Sequence, residues 1–425
     1  MITEKIIRTL EPFLLKWHEK ISFNNVIRKT AVLIFPFVLI GTLSQLVQLI
    51  FFTPNSFSIL VLHLGNFTGL IGNTGMLFKL LTESTLGILG ILTAYGTAKF
   101  ATEMHHDNQL AGLVGAISFL ILSYRFSNRQ FSISWIGSTG IVVGVLVGFG
   151  VASIFKIWSK PVPSKPISFL NRVFASFLSV NLSFLIAIIL TVLINLIIIE
   201  TSKINPNIIA THSHIFWIFG ISILRLLMTF LGLSDGGLSF LSTTSNSTNL
   251  NVALIHHSLW SIPFPLTIKS LYIAYGNFGS TGMLLALVIL ILRESKLHDF
   301  KIVARWSLLP IIFNLNMPLM IGLPIMFLPT FVIPYFLAPL VSMFIAALAI
   351  TLHIIPAMVY PVPTGTPVFL QVFLGTGGNW LALLLGIFNL GISALIYWPF
   401  LKLDEKVLMD NHLPSGLSDE KVSRS

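Results

Sequence analysis

The residues of this chain best suited to chemistry are amides, hydroxyls and a few charges set inside long apolar runs. The stretch 313–325, FNLNMPLMIGLPI, carries two Asn, two Pro and a Gly. In lipid each such residue frees or adds a polar group that needs a partner. A kinked, amide-bearing segment at membrane depth therefore marks backbone that lines a cavity. Here Asn314 and Asn316 flank Leu315, just before Pro318. Further along, Pro363, Thr364, Gly365, Thr366 and Pro367 form a turn, and the GTGGN run at 375–379 ends on Asn379. Upstream, GNFGSTG at 276–282 reads as a loop before an apolar span. Amides and hydroxyls on bent backbone suit sugar hydroxyls, which need neutral donors and acceptors in pairs. Each motif alone is a cap or a kink. Three together, with little charge at membrane depth, favour a neutral polar substrate over an ion.

Ionisable residues inside apolar spans are costly and are functional candidates by default. Here they are Glu83, Arg225, Asp235, Lys269 and His353. Arg225 needs a partner, Asp235 or a backbone carbonyl, and a structural ion pair explains it as well as a substrate contact does. His256 and His257 are adjacent histidines. Neighbours on a helix do not share a face, so a metal site would need other ligands, and no metal motif accompanies the pair. No metal and no cofactor is expected. There is no Walker A sequence, so ATP is not the direct energy source.

The elements that must position these residues are membrane helices. The chain has 425 residues, 55% of them hydrophobic and 9% charged, with mean hydropathy +0.90. A soluble domain carries about 25% charged residues. Runs of roughly 20 apolar residues recur along the chain, and the short alternation of barrel strands is absent. The expected fold is an all-α polytopic membrane protein of about ten transmembrane helices plus re-entrant or broken segments. Expected spans are 30–52, 83–101, 108–124, 134–158, 176–199, 214–233, 276–293, 306–330, 331–353 and 380–401. The stretches 252–272 and 361–377 read as broken or re-entrant. There is no cysteine, which excludes disulfides and thiolate sites on this chain.

The net charge of +10 gathers in short loops. The positive-inside rule accounts for it without nucleic acid, and it puts both termini in the cytoplasm. Residues 1–22 read as an amphipathic helix on the cytoplasmic membrane face or packed on the protein. Residues 23–170 read as a transmembrane scaffold and dimerisation region, and 171–406 as the substrate region, because nearly all broken segments lie there. Residues 407–425 read as a flexible cytoplasmic tail.

These segments resemble the membrane subunit, enzyme IIC, of the phosphoenolpyruvate-dependent sugar phosphotransferase system, in its lactose/cellobiose/chitobiose branch. The resemblance is carried by SLLPIIFNLNMPLMIGLPIMFLP (307–329), YPVPTGTP (360–367), FLGTGGNW (373–380), IYWPFLKLDEK (396–406), FWIFGIS (216–222) and YGNFGSTG (275–282). It implies a homodimer in a bacterial plasma membrane that binds a β-disaccharide such as cellobiose, chitobiose or lactose. A cytoplasmic IIB subunit would phosphorylate the sugar as it crosses. It also implies a His and a Glu beside the sugar hydroxyl that accepts phosphate, and those positions are Ser222 and Met317 in this sequence. A missing acid or base typically costs about 10²–10⁴ in rate, so phosphoryl transfer is the step in question. The catalytic residues are therefore left unassigned. Ser222, Asn314, Asn316, Met317, Thr366 and Asn379 are the expected substrate-binding positions, with His256 or His257 as substitutes for the lost histidine. The other reading is a sugar sensor, or a facilitator without phosphoryl transfer. An unrelated ion-coupled carrier is a distant third.

Overall fold

A computed structural model of the chain describes residues 21–63, 68–102, 108–127, 130–133, 137–159, 169–201, 215–232 and 243–410. The helix expected at 1–22 lies almost wholly outside them, as do Asp235 and the tail from 411 onward. Seven helices among the described residues are long and apolar enough to cross a membrane, and Asn108–Ser123 and Ile215–Phe230 are shorter apolar helices. These correspond to nine of the expected spans. The protein is an all-α polytopic membrane protein; among the described residues the one exception is a two-stranded antiparallel ribbon, β1 (Tyr124–Ser127) paired with β2 (Gln130–Ile133).

The helices are α1 (Ile21–Val47), α2 (Phe57–Leu60), α3 (Thr68–Thr85), α4 (Leu89–Ala101), α5 (Asn108–Ser123), α6 (Ile141–Trp158), α7 (Phe169–Thr201), α8 (Ile215–Phe230) and α9 (Thr243–His256). They continue with α10 (Leu284–Glu294), α11 (His298–Ile312), α12 (Met317–Gly322), α13 (Pro329–Thr351), α14 (Val368–Gly375) and α15 (Trp380–Asp410). Residues 407–410 thus extend α15 and do not begin a flexible tail; Val407 and Leu408 are buried.

The described residues form two compact units, one drawn from Thr42–Leu81 and Asn207–Ser425, the other from Lys20–Gly41 and Thr82–Pro206. These units are cut elsewhere than at 170/171: α7 joins the second, and Thr42–Leu81 joins the first.

The second unit is built on small residues. A methyl group at Gly144 would lie 2.5 Å from the Gly90 carbonyl oxygen, and one at Gly148 would lie 2.6 Å from Thr97 Cβ. A methyl at Gly115 would lie 2.7 Å from Ala98 Cβ. So α4, α5 and α6 approach with backbones nearly touching, which is how helices associate where lipid supplies no hydrophobic driving force. Ala98, Ala111, Val114, Val151 and Phe155 fill the core between them. Buried hydroxyl and amide bonds add α7: Ser159 Oγ meets Ser179 Oγ at 2.8 Å, and Asn195 Nδ2 donates to the Tyr124 carbonyl at 3.1 Å.

The first unit holds the broken segments. A π-helix (Lys269–Gly276) and α10 form one span interrupted at 277–283. The expected span 306–330 is not a crossing. Its first part belongs to α11, whose register ends at the Asn-bearing turn 313–316, and the chain then doubles back through α12 and a 3₁₀ turn (Ile325–Phe327). Both ends of this hairpin sit beside the same part of α15. Lys296 N–H donates to Glu405 Oε1 at 3.0 Å, and Thr330 Oγ1 donates to Asp404 Oδ1 at 3.2 Å. A second hairpin, 352–379, enters from the other end of α13, through the turn at 360–367 and α14, and returns to the start of α15. The stretch read as re-entrant at 361–377 falls inside it.

Candidate functional site

Three interruptions meet inside the first unit: the tip of the first hairpin at 313–316, α14 of the second, and the break at 277–283. Asn314 joins them. Its Oδ1 accepts from the Ser280 backbone N–H at 2.8 Å, and its Nδ2 donates to Gln371 Oε1 at 2.8 Å. Packing supports the same junction, with Phe278 and Phe369 edge to face at 5.6 Å between centroids.

The backbone here is strained. Asn314, Ser280 and Met283 have φ of 63°, 78° and 55°, and Gly279 and Gly282 are also left-handed. For a non-glycine residue such a conformation costs about 1–3 kcal/mol and persists only where surroundings over-determine it. At Gly282 the surroundings instead require glycine. Its carbonyl accepts from Tyr397 Oη at 2.7 Å, and a methyl group there would lie 2.4 Å from the Tyr335 ring.

Asn316 precedes α12 and accepts only through its backbone carbonyl, from Met320 N–H at 3.0 Å; its side-chain amide makes no hydrogen bond among the described residues. Met317 opens α12 and is half-buried. Thr366 is buried and its Oγ1 donates to the Pro363 carbonyl at 2.7 Å. The turn containing it is clamped by the segment after α1: Phe57 N–H donates to the Thr364 carbonyl at 2.9 Å, and Thr364 N–H donates to the Asn55 carbonyl at 3.0 Å. Asn379 caps α15, its Oδ1 accepting from Ala382 N–H at 2.9 Å, which satisfies one of the orphan donors of a helix start.

Ser222 lies on α8, which packs against the Thr281–Met283 turn and α13. It is fully buried, and its hydroxyl donates to the Ile218 carbonyl one turn back at 2.7 Å. On the same helix Arg225 is buried with its guanidinium 5.9 Å from the Tyr272 ring centroid. Cation–π contact of this kind stabilises a desolvated charge. Lys269 Nζ donates to the Val359 carbonyl at 2.5 Å. His256 and His257 are exposed where α9 ends, and no hydrogen bond ties either to Ser222 or Met317 among the described residues. His353 is exposed and stacks on Trp260 at 6.1 Å between centroids. Glu83 is exposed and belongs to the other unit. No group of three or more metal-ligating side chains occurs among the described residues.

Asn314 and the 277–283 break are thus brought together, with Asn316 and Met317 adjoining in sequence. Sequence reasoning missed Gln371. The available signal was a lone amide in the otherwise apolar α14, VFLQVFLG.

The chain matches the model of the family described as "Phosphotransferase system, EIIC" over residues 28–339. A PTS system cellobiose-specific EIIC component of Lactococcus lactis subsp. lactis (strain IL1403) is 41% identical over 147 residues, 34% of this chain and 30% of that one. A PTS system lactose-specific EIICB component of Streptococcus mutans serotype c (strain ATCC 700610 / UA159) is 25% identical over 438 residues, 95% of this chain and 74% of that one. A PTS system oligo-beta-mannoside-specific EIIC component of Bacillus subtilis (strain 168) is 25% identical over 358 residues, 78% of this chain and 80% of the other. Among solved structures, the transporter ChbC, the IIC component from the N,N'-diacetylchitobiose-specific phosphotransferase system, aligns with TM-score 0.44 and 20% identity, covering 96% of this chain and 99% of that one.

Proposed function

Because the chain belongs to the EIIC family of the phosphotransferase system, we propose that it binds and translocates a β-disaccharide such as cellobiose, chitobiose or lactose. It would do so by alternating access, as a dimer in a bacterial plasma membrane with both termini cytoplasmic. A IIB partner would supply the phosphoryl group. The observation that carries this reading is the junction of two re-entrant hairpins with a broken span. There neutral amides gather on strained backbone, and the acidic residues of the same unit among the described ones, Glu294, Asp299, Asp404, Glu405 and Asp410, belong instead to the region around the α10–α11 turn and the last turns of α15. Broken helices of this kind are where transporters place substrate. The relatives' named sugars, cellobiose, lactose and oligo-β-mannoside, set the substrate class to test first.

In this reading Asn316, with its amide unengaged, is the first sugar contact. Ser222, Asn314, Thr366 and Asn379 line or shape the site with hydrogen-bonding capacity left over after their internal bonds. Met317 packs against the sugar. The second reading, a sensor or a facilitator without phosphoryl transfer, is favoured by Ser222 and Met317 themselves. A serine hydroxyl bonded to its own helix is no base at neutral pH, and methionine has no proton to give or take.

Equilibrium binding of labelled cellobiose, chitobiose and lactose to purified protein tests the reading. Saturable binding that Asn316→Ala weakens about tenfold, the loss of one good hydrogen bond, supports it. Absence of saturable binding by all three sugars contradicts it. Binding without uptake, with or without phosphorylated IIB, selects the sensor.

A further inference from the structure

We propose that Gln371 is a positioning residue that, through Asn314, holds the tip of the first hairpin in register with the second hairpin and the broken span, so that the three move as one body. The substrate clause of this proposal rests on the sugar-permease reading above.

Three observations carry it. First, Asn314 Nδ2 to Gln371 Oε1, at 2.8 Å, is the only side-chain hydrogen bond between the two hairpins among the described residues. Second, the other side of the same amide holds the Ser280 N–H at 2.8 Å. Asn314 is therefore engaged on both faces, and its orientation is fixed from two directions. Third, the residue that carries this amide and one of its two partners lie on strained backbone: Asn314 at φ 63° and Ser280 at φ 78°. Conformations this strained relax unless something over-determines them. Without the Gln371 acceptor, one of the two constraints on Asn314 is gone. Asn316 and Met317, two and three residues on, take their placement from the same turn: Leu315 N–H donates to the Pro310 carbonyl at 2.9 Å, and Met320 N–H to the Asn316 carbonyl at 3.0 Å. Gln371 thus governs the sugar-facing amide without touching sugar.

The chain has no cysteine, so a single Leu315→Cys substitution reports the hairpin tip by its rate of maleimide labelling. In that background Gln371→Met keeps the length of the side chain and removes the acceptor. It is expected to raise the labelling rate several-fold without sugar. It should also weaken cellobiose binding about tenfold, the scale of one lost hydrogen bond. Gln371→Glu keeps an acceptor for Asn314 Nδ2 and is expected to restore both readouts to within about threefold. Packing alone would not separate Met from Glu in this direction. If Gln371→Met does not fold, Gln371→Asn, which withdraws the amide by one methylene, is read in the same two assays. Unchanged labelling in the folded variant overturns the positioning role. Raised labelling with unchanged sugar affinity overturns its link to the site. If the parent binds none of the three sugars, the permease reading fails, and labelling alone decides whether Gln371 positions the tip.

Discussion

At the scale of single residues, the proposed chemistry turns on Met317 and Ser222, which stand where the family resemblance implies an acid and a histidine. Their surroundings are unequal. Met317 is half-buried at the first turn of α12, where the helix dipole favours a carboxylate, so Met317→Glu should fold normally. It is expected to raise IIB-dependent sugar phosphorylation by about tenfold or more, toward the general-acid/base range, measured as sugar phosphate formed by membranes supplied with phosphorylated IIB. Ser222 is fully enclosed. Ser222→His must displace its neighbours and is expected to cost about 1–3 kcal/mol by overpacking, read as a lowered melting midpoint in detergent. Asn379 is a cap first. Asn379→Ala should lose ~1 kcal/mol of stability, visible in the same melt. These roles were unevenly legible. Asn314 and Asn316 stood out because amides in an apolar run demand partners. That one would be engaged on both faces and the other left open depends on a Gln 57 residues downstream of Asn314, which no local pattern encodes.

At the scale of elements, small residues and breaks do different work. In the second unit, Gly144 sits against the Gly90 carbonyl, while nothing lies within 4 Å of a methyl group placed at Gly150 on the same helix. Gly144→Ala is therefore expected to destabilise by about 1–3 kcal/mol. Gly150→Ala should be neutral or slightly stabilising, since alanine is the better helix former by about 1 kcal/mol. Thermal melts of the two variants side by side check both signs. Most helices were readable as apolar runs, because a span needs only length and hydropathy. The hairpin 298–328 was not. Its composition matches a crossing, and what turns it back is a left-handed Asn314 and the docking of both its ends on α15. The Thr42–Leu81 segment was equally hidden. It joins the first unit through backbone pairing of Ser56 with Thr364, and backbone pairing leaves little trace in side-chain sequence.

At the scale of the molecule, the family and the membrane class were legible from composition and the ordered motifs over 216–406, and the EIIC family match over residues 28–339 bears them out. The division into units was less so, since the sequence runs from the second unit to the first and back through α1 and α3. We propose that this molecule carries a β-disaccharide across the membrane under the control of a phosphoryl donor. The most direct test is uptake of labelled cellobiose, chitobiose and lactose into proteoliposomes of the purified protein, with phosphorylated IIB enclosed or omitted. Saturable uptake of at least one of the three is expected, greater with phosphorylated IIB, and recovered inside as sugar phosphate. Uptake of none of them, or uptake indifferent to IIB that instead follows an imposed proton or sodium gradient, would contradict it.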